Sequence, residues 1–287
     1  MTNPSEEIRL NLPHIELAAQ VYGPADGIPV IALHGWLDNA ASFSRLAPKL
    51  EGLRIVALDL AGHGHSAHRP LGTDYSLWGY ASDALMVAQH LGWQQFSLLG
   101  HSMGAITSVM LAAAMPDKVR SLALVDGLLP YTSEADQAPA KLNEALLAKL
   151  ALASKRKPVY RDIEQAIKAR MKGIGAVSYE AAERLAKRGL ISVEGGYTWR
   201  SDVQLTLPSP LRLTQGQAEA FVQALQCPVA LVAAERGMIQ VQPNALQLIE
   251  GSTIELHRVE GGHHLHLDDE QGAQQVADCF KAMFAAP

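Results

Sequence analysis

The segment Gly100-His101-Ser102-Met103-Gly104 stands between an apolar run and a stretch with helical periodicity. The run Phe96 to Leu99 is typical of a buried strand, and the helical pattern covers Ala105 to Met115. A serine between two such elements sits on a tight turn, and the two flanking glycines lack side chains that would collide across it. The turn places Ser102 at a helix N-terminus, where backbone N–H groups point toward negative charge. This feature predicts a strand–turn–helix unit that lifts the Ser102 hydroxyl above a sheet.

Further apolar runs alternate with helical patterns along the chain. Continuous apolar runs suit strands that are buried on both faces, so the chain predicts a mostly parallel central sheet with helices on both faces. The other predicted strands are Val30–Leu33, Leu53–Leu58, Leu122–Val125 and Val229–Val232, and the helical patterns include Ser76–Leu91 and Ala273–Phe284. Ile8–Leu12 and Ile15–Val21 are expected to form an antiparallel hairpin at the sheet edge.

The alternation stops after the predicted strand that ends at Val125. Residues 128–213 contain helical patterns and no core strand, and Pro208 and Pro210 stand near their end. The helical patterns are Lys141–Ser154, Asp162–Lys172 and Tyr179–Arg188. This arrangement predicts a helical cap inserted after the sixth strand, so that residues 1–127 and 214–287 form the two parts of the core.

Composition narrows the class of protein and its surroundings. The 287 residues are 48% hydrophobic and 18% charged, which is typical of a globular protein, and the net charge of −5 favours neither nucleic acid nor an anionic membrane as partner. No segment is apolar for long enough to span a bilayer. Cys227 and Cys279 are too few for a disulfide framework. A reduced, cytoplasmic setting is the simplest expectation.

A serine hydroxyl is a weak nucleophile until a base takes its proton, so Ser102 needs a histidine within reach. His263 follows two glycines and a strand-like run, Thr253 to Val259, near the C-terminus. A loop at this point can reach across the top of the sheet. His264 and His266 are local competitors, and we interpret His266 as a packing residue. We therefore predict that His263 is the base.

The same histidine cluster is compatible with a metal site. The neighbouring carboxylates, Asp268 and Asp269, fit helix N-capping at least as well as metal ligation. The two cysteines are too far apart in the sequence to complete such a site. We expect neither a metal nor an organic cofactor.

The base needs a carboxylate that orients its imidazole and stabilises the cation. Asp126 directly follows the predicted strand Leu122–Val125, at the carboxyl edge of the sheet, where ligands bind in open α/β folds. Glu235 follows the strand Val229–Val232 and is the alternative acid. The pattern of residues leaves both open.

Acyl transfer also needs backbone N–H groups aimed at the developing oxyanion. The N–H of Met103, the residue after the serine, is the first candidate. The N–H of Trp36 is the second, because it lies in the loop after Val30–Leu33, where Gly35 permits a turn. His34 is interpreted as a structural hydrogen-bonding residue of this loop. Residues 59–64, with Asp59 and Gly62-His63-Gly64, are expected to support the loop without taking part in chemistry.

Several motifs together resemble those of the α/β-hydrolase superfamily, in order and spacing along nearly the whole chain. They are His34-Gly35-Trp36, Asp59 to Ser66, Gly100 to Gly104, and Gly262-His263. The longer segment His34 to Phe43 is more particular and resembles the serine hydrolase-like protein subgroup. The resemblance implies a hydrolase core under a helical cap, with a triad of Ser102, His263 and Asp126.

In that superfamily the acid usually follows the later strand, as an aspartate two residues beyond a glutamate. The corresponding position here is Gly237, two residues after Glu235. This departure favours Asp126 as the acid and keeps Glu235 as the alternative.

The expected activity is cleavage of a small carboxylic ester through an acyl-enzyme on Ser102, without a cofactor. Thioesters, lactones and C–C bonds remain alternatives because they use the same triad, whereas dehalogenases and epoxide hydrolases would need aspartate at position 102. A ligand-binding or signalling protein with slow or no turnover is the alternative from another class. The expected partner is a small-molecule ester, and a homodimer is compatible with the sequence.

Overall fold

The apolar runs form strands because each offers a row of aliphatic side chains to both faces of a sheet. A computed structural model of the protein describes residues 6–173 and 175–285. The strands are β1 (Glu6–Asn11), β2 (Glu16–Tyr22), β3 (Ile28–Leu33), β4 (Leu53–Leu58), β5 (Phe96–His101), β6 (Val119–Val125), β7 (Leu190–Val193), β8 (Gly196–Trp199), β9 (Val229–Arg236) and β10 (Glu255–Gly262). The α-helices are α1 (Leu77–His90), α2 (Met103–Ala114), α3 (Ala138–Leu150), α4 (Ile163–Met171), α5 (Tyr179–Gly189), α6 (Gln215–Gln223), α7 (Pro243–Glu250), α8 (Leu265–Asp268) and α9 (Glu270–Ala285).

Eight strands form one sheet in the order β1-β2-β4-β3-β5-β6-β9-β10. The pairs from β4 to β10 are parallel, and β2 pairs antiparallel with both β1 and β4. The predicted α/β fold and the antiparallel hairpin at the sheet edge are therefore confirmed. Because β3 and β5 are neighbours, the loop after β3 and the turn after β5 emerge side by side at the carboxyl edge.

The core lies on both faces of this sheet. Along β3, Ile31 and Leu33 belong to the cluster that contains the apolar residues of α1, α2, α6 and α7. Val30 and Ala32 belong to the second cluster, which contains the buried face of α9. Alternate residues of one strand thus anchor helices on opposite faces, as a buried parallel strand requires.

The segment between β6 and α6, called the cap below, contains the helices α3, α4 and α5. It also contains a two-stranded antiparallel hairpin, β7–β8, that the sequence did not predict. The hairpin strands have four residues each, and Thr198 alone among them is buried, so they carry no readable alternation. The boundaries at residues 128 and 213 stay a prediction.

A buried ion pair joins the cap to the core. Arg188, at the end of α5, donates from Nε to both carboxylate oxygens of Asp59, at 2.9 and 3.0 Å. Asp59 also accepts from the backbone N–H groups of Ala40 (2.8 Å) and His65 (2.6 Å). Asp59 thus supports the loop after β3, the role inferred for it from the sequence, and in addition anchors the cap.

The structure bears on two expectations from composition, the absence of a membrane span and the state of the cysteines. No helix among the described residues has the length and apolarity needed to cross a membrane. Cys227 and Cys279 are free thiols, and burial raises the pKa of each. A raised pKa disfavours the thiolate, so these cysteines suit packing better than nucleophilic chemistry.

Candidate active site

Ser102 occupies a strained turn between β5 and α2. Its backbone has φ 52° and ψ −117°, a conformation that L-residues rarely adopt. A Cβ atom at position 104 would lie 1.9 Å from the Leu33 carbonyl oxygen, and one at position 100 would lie 2.5 Å from Cα of Ala105. Only glycine fits at either position. The two glycines therefore allow the chain to turn tightly enough to raise Ser102 above the sheet.

The end of β6 contacts this turn. The Ser102 N–H donates to the Val125 carbonyl (3.0 Å), and a Cβ at position 127 would lie 2.5 Å from the Ser102 carbonyl oxygen. Asp126, between these two residues, has φ 45° and is fully buried. The strained backbone directs the Asp126 side chain from the strand end toward the loop that follows β10.

That carboxylate holds His263. The Nδ1–H of His263 donates to Oδ2 of Asp126 at 2.6 Å, which leaves Nε2 as the basic nitrogen of the neutral ring. Asp126 also accepts backbone N–H bonds from Met238 (2.6 Å), Ala234 (3.3 Å) and Ile239 (3.4 Å). A carboxylate with this many donors is held in one orientation, as an orienting group must be.

Glu235 and Gly237, the two positions near the end of β9 that bear on the choice of acid, have different surroundings. Glu235 is exposed at the end of β9, and Asp126 holds His263 in its place. A Cβ at position 237 would lie 2.3 Å from Oδ2 and 2.5 Å from Cγ of Asp126. Gly237 therefore leaves the space that the Asp126 carboxylate fills. The glycine after β9 and the aspartate after β6 are two parts of one arrangement.

The loop after β3 carries Trp36, the second predicted oxyanion donor. It is held by Leu37 N–H donating to His63 Nε2 (3.2 Å) and by Leu60 N–H donating to His34 Nε2 (3.0 Å). His34 and His63 are thus structural, as expected. Outside the helices and strands, no backbone hydrogen bond between described residues engages the N–H of Trp36 or Met103. Neither N–H has a backbone acceptor there, as the predicted oxyanion role requires.

A family model described as the alpha/beta hydrolase fold matches residues 28–165. A serine hydrolase-like protein of Dictyostelium discoideum is 32% identical, with 97% of this chain and 82% of that protein covered. The chain belongs to this serine hydrolase-like family of the α/β-hydrolase superfamily.

Two solved structures are similar to this α/β-hydrolase over nearly its full length. A hypothetical protein from Pseudomonas aeruginosa PAO1 is 66% identical with a TM-score of 0.96, covering 98% of this chain and 100% of that one. A thioesterase domain from the curacin biosynthetic pathway is 26% identical with a TM-score of 0.80, covering 96% of this chain and 99% of that domain.

The histidines that competed with His263 have other partners. His264 Nε2 lies 3.0 Å from Asp38 Oδ2, and His266 Nε2 lies 3.0 Å from Ser42 Oγ. Asp269 accepts from the Gly272 N–H (2.7 Å) and so caps α9, as expected. Asp268 instead accepts from the Ser178 N–H (2.7 Å), at the start of α5. Asp268 therefore ties the histidine segment to the cap and does not cap α9.

Sequence reasoning missed two functional candidates, Asp38 and Arg170. Nη2 of Arg170 donates to Oδ1 of Asp38 at 2.8 Å. Asp38 stood inside the segment that carried the resemblance, but nothing in its local pattern identified a buried ion pair. Arg170 stood in a helical stretch with two other basic residues in its last turn or just beyond, Lys168 and Lys172. The fold alone distinguishes Arg170 from these neighbours.

Buried neutral histidines make the stability of this fold depend on pH. Burial lowers the pKa of His63 and of His266 to about 3, and it also lowers those of His34 and His101. The unfolded chain binds these protons near the ordinary pKa of 6.5, so below that pH it takes up more protons than the folded protein. The stabilisation is complete above pH 6.5 and is lost as the pH falls toward the folded-state values.

We therefore expect the free energy of unfolding to fall between pH 6.5 and pH 5, by about 1.4 kcal/mol per pH unit for each such histidine. Urea titrations across this range measure the slope. The His266→Gln variant should have a smaller slope than the wild type, whereas His90→Gln, at an exposed position at the end of α1, should not. Equal slopes for His266→Gln and the wild type would contradict the expectation.

Proposed function

We propose that this protein is a serine esterase that cleaves small carboxylic esters through an acyl-enzyme on Ser102. The observation that carries the proposal is the His263–Asp126 hydrogen bond of 2.6 Å, set beside the strained turn that bears Ser102. A buried carboxylate that fixes the tautomer of a histidine near a half-buried serine is the arrangement that nucleophilic acyl transfer requires.

In the proposed mechanism, Ser102 Oγ attacks the ester carbonyl carbon while His263 Nε2 takes the hydroxyl proton. The N–H groups of Trp36 and Met103 stabilise the negative charge on the carbonyl oxygen. His263 then gives the proton to the alkoxide leaving group, and the acyl group stays on Ser102. Water attacks this ester by the same route and releases the acid. Asp126 stabilises the imidazolium in both half-reactions.

A thioester is the second candidate substrate class. The thioesterase domain from the curacin biosynthetic pathway is similar to this chain over 96% of the chain's length. A thioester presents the same acyl carbon to Ser102 and differs in a thiolate leaving group that needs less help from His263. A large preference for thioesters over oxygen esters of the same acyl chain would favour this candidate.

The experiment that tests the proposal combines labelling with turnover. A fluorophosphonate probe should modify the protein once, and peptide mass spectrometry should place the modification on Ser102. p-Nitrophenyl esters of increasing chain length, with acyl N-acetylcysteamine thioesters beside them, should then give kcat and KM for each acyl group. Labelling without turnover on any substrate would favour a ligand-binding protein, and the absence of labelling would refute the proposed nucleophile.

A further inference from the structure

A second buried carboxylate, Asp38, lies where three parts of the molecule meet. It belongs to the loop after β3 that carries Trp36, and its side chain is about 1% exposed. Oδ1 accepts from Nη2 of Arg170 in α4 (2.8 Å), and Oδ2 accepts from Nε2 of His264 (3.0 Å). Asp38 thus links three segments. They are the loop after β3 that carries Trp36, called the oxyanion loop below, the cap, and the residue next to the proposed base.

His101 lies between this carboxylate and His263. His101 Nε2–H donates to the backbone carbonyl of His263 at 3.0 Å, and Nδ1 of His101 faces Oδ2 of Asp38 at 3.7 Å. His101 immediately precedes Ser102. The residue before the proposed nucleophile, His101, and the residue after the proposed base, His264, therefore both lie at the Asp38 cluster.

The cluster raises the question of a metal ion, because ligand atoms of Asp38, His101 and His264 lie within 4.8 Å of one another. Arg170 already supplies a cation there, since its Nη2 lies 2.8 Å from Asp38 and 3.3 Å from Nε2 of His264. A divalent ion would place further positive charge against this guanidinium in a buried site, at high electrostatic cost. The arrangement fits an arginine-neutralised carboxylate better than a metal site.

Asp38 depends on these two partners. Among the described residues, Arg170 and His264 are the only donors of hydrogen bonds to its carboxylate. Burial alone would raise the pKa of Asp38, but the charges of His264 and Arg170 outweigh it and hold the pKa well below its usual value. A buried carboxylate that loses its main cation is left uncompensated, and its surroundings must rearrange.

The cap contacts the oxyanion loop at further points. The Trp36 indole N–H donates to the Leu205 carbonyl (2.9 Å), and the Asn39 side chain donates to the Leu185 carbonyl (3.0 Å). Just after α4, a Cβ at position 175 would lie 2.9 Å from the imidazole of His263. Arg170 Nη1 donates to the Gly175 carbonyl (3.1 Å), so the arginine also holds the cap segment that covers the base.

We propose that Arg170 is a positioning residue through which the cap sets the geometry of His263 and of the oxyanion loop, by neutralising Asp38. The inference rests on the proposed esterase function and deepens it. With Arg170 in place, Asp38 holds the loop of Trp36 and the ring of His264 in one arrangement. Without it, both segments shift while the substrate pocket keeps its other walls. The loss therefore falls on kcat and leaves KM nearly unchanged.

The test uses the full chain with a p-nitrophenyl ester that the wild type cleaves. Arg170→Gln should lower kcat by about 100-fold, with KM within about threefold of the wild type. Arg170→Lys keeps the charge and should recover most of the loss. Arg184→Gln is the matched control. Arg184 is also a cap arginine, but its Nη1 donates to Ser44 Oγ (3.4 Å) and not to Asp38. It should leave kcat near the wild-type value.

A double variant tests whether Arg170 acts through Asp38. In Asp38→Asn/Arg170→Gln the uncompensated charge is gone, so kcat should exceed that of Arg170→Gln alone. If Arg170 did not act through Asp38, the two losses would be independent and the double variant would be worse than either single one. Thermal unfolding of each variant identifies any that fails to fold, and the Arg170→Lys and double variants then carry the test.

A readout independent of turnover separates this inference from the proposed function. The Nδ1–H of His263, bonded to Asp126, should give a low-field proton NMR resonance that disappears in Asp126→Asn. In Arg170→Gln this resonance should shift or broaden, and in Arg184→Gln it should not. Absence of turnover in the wild type would defeat the proposed function, while the resonance would still test the positioning. An unchanged resonance and kcat in Arg170→Gln, or a rise in KM alone, would overturn the inference.

Discussion

Replacement of Ser102 by alanine is expected to lower kcat for a p-nitrophenyl ester by about 10⁶-fold, the effect of removing the nucleophile of a serine triad. The residue lies at φ 52° in a turn that every neighbour helps to enforce, so alanine should keep the backbone and lose only the hydroxyl oxygen. His263 and Asp126 would remain paired with no group to activate. Stopped assays at high enzyme concentration measure the residual rate, and the fluorophosphonate probe should no longer label the protein.

Ser108 provides the matched control on the same helix. It is fully buried in α2, and its hydroxyl donates to the Gly104 carbonyl at 2.8 Å. Ser108→Ala removes that hydrogen bond and should cost about 1 kcal/mol of stability. Its kcat should stay close to that of the wild type. Full activity in Ser102→Ala would show that another group attacks the substrate.

Replacement of Asp126 by asparagine is expected to lower kcat by about 10⁴-fold. The amide is nearly isosteric, but its NH₂ group would face Nδ1 of His263 and favour the tautomer with the proton on Nε2. That tautomer cannot accept the Ser102 proton. The variant also loses the negative charge that stabilises the imidazolium. The kcat/KM profile from pH 5 to pH 10 measures the loss and shows whether hydroxide partly rescues it.

Glu235→Gln tests the alternative acid. Glu235 is exposed, and the carboxylate bonded to His263 belongs to Asp126, so this variant should retain nearly full activity. A large loss in Glu235→Gln with little change in Asp126→Asn would refute the assignment of the acid.

Gly237→Ala perturbs the same carboxylate from the opposite side. The added Cβ would lie within 2.5 Å of the Asp126 carboxylate, which would have to move from His263. A displacement of this kind should lower kcat by about 100-fold. Gly251→Ala, after α7, places its Cβ no closer than 3.9 Å to any neighbour and should have no such effect.

The features that were predicted correctly are those that depend on residues contiguous in the sequence. The strands of the core were predicted because each is a continuous apolar run, and the Ser102 turn because two glycines flank it between a strand and a helix. Helix and strand limits differed by a few residues, as for α2, which begins at Met103 and not at Ala105. The β7–β8 hairpin was missed because strands of four residues, mostly half-exposed, leave no periodic pattern.

Asp126, the carboxylate bonded to His263, shows what a local sequence pattern can predict and what it cannot. Its position after the predicted strand made Asp126 a candidate, and the resemblance favoured it because glycine stands at position 237. The physical link between these two facts is spatial, since the Asp126 carboxylate occupies the space that a side chain at position 237 would fill. No spacing along the chain expresses that relation, because residues 126 and 237 meet only when β6 and β9 pair.

The sequence by itself therefore determined the α/β core, the turn that carries Ser102 and the candidate base, because each depends on contiguous residues. The tertiary structure alone decided which carboxylate holds His263, and it placed Arg170 on Asp38 from 132 positions away. Contacts of this second kind form only when separate segments pack together. Their energy comes from burial and charge in the folded state, where a carboxylate removed from water must find its donors wherever the fold brings them.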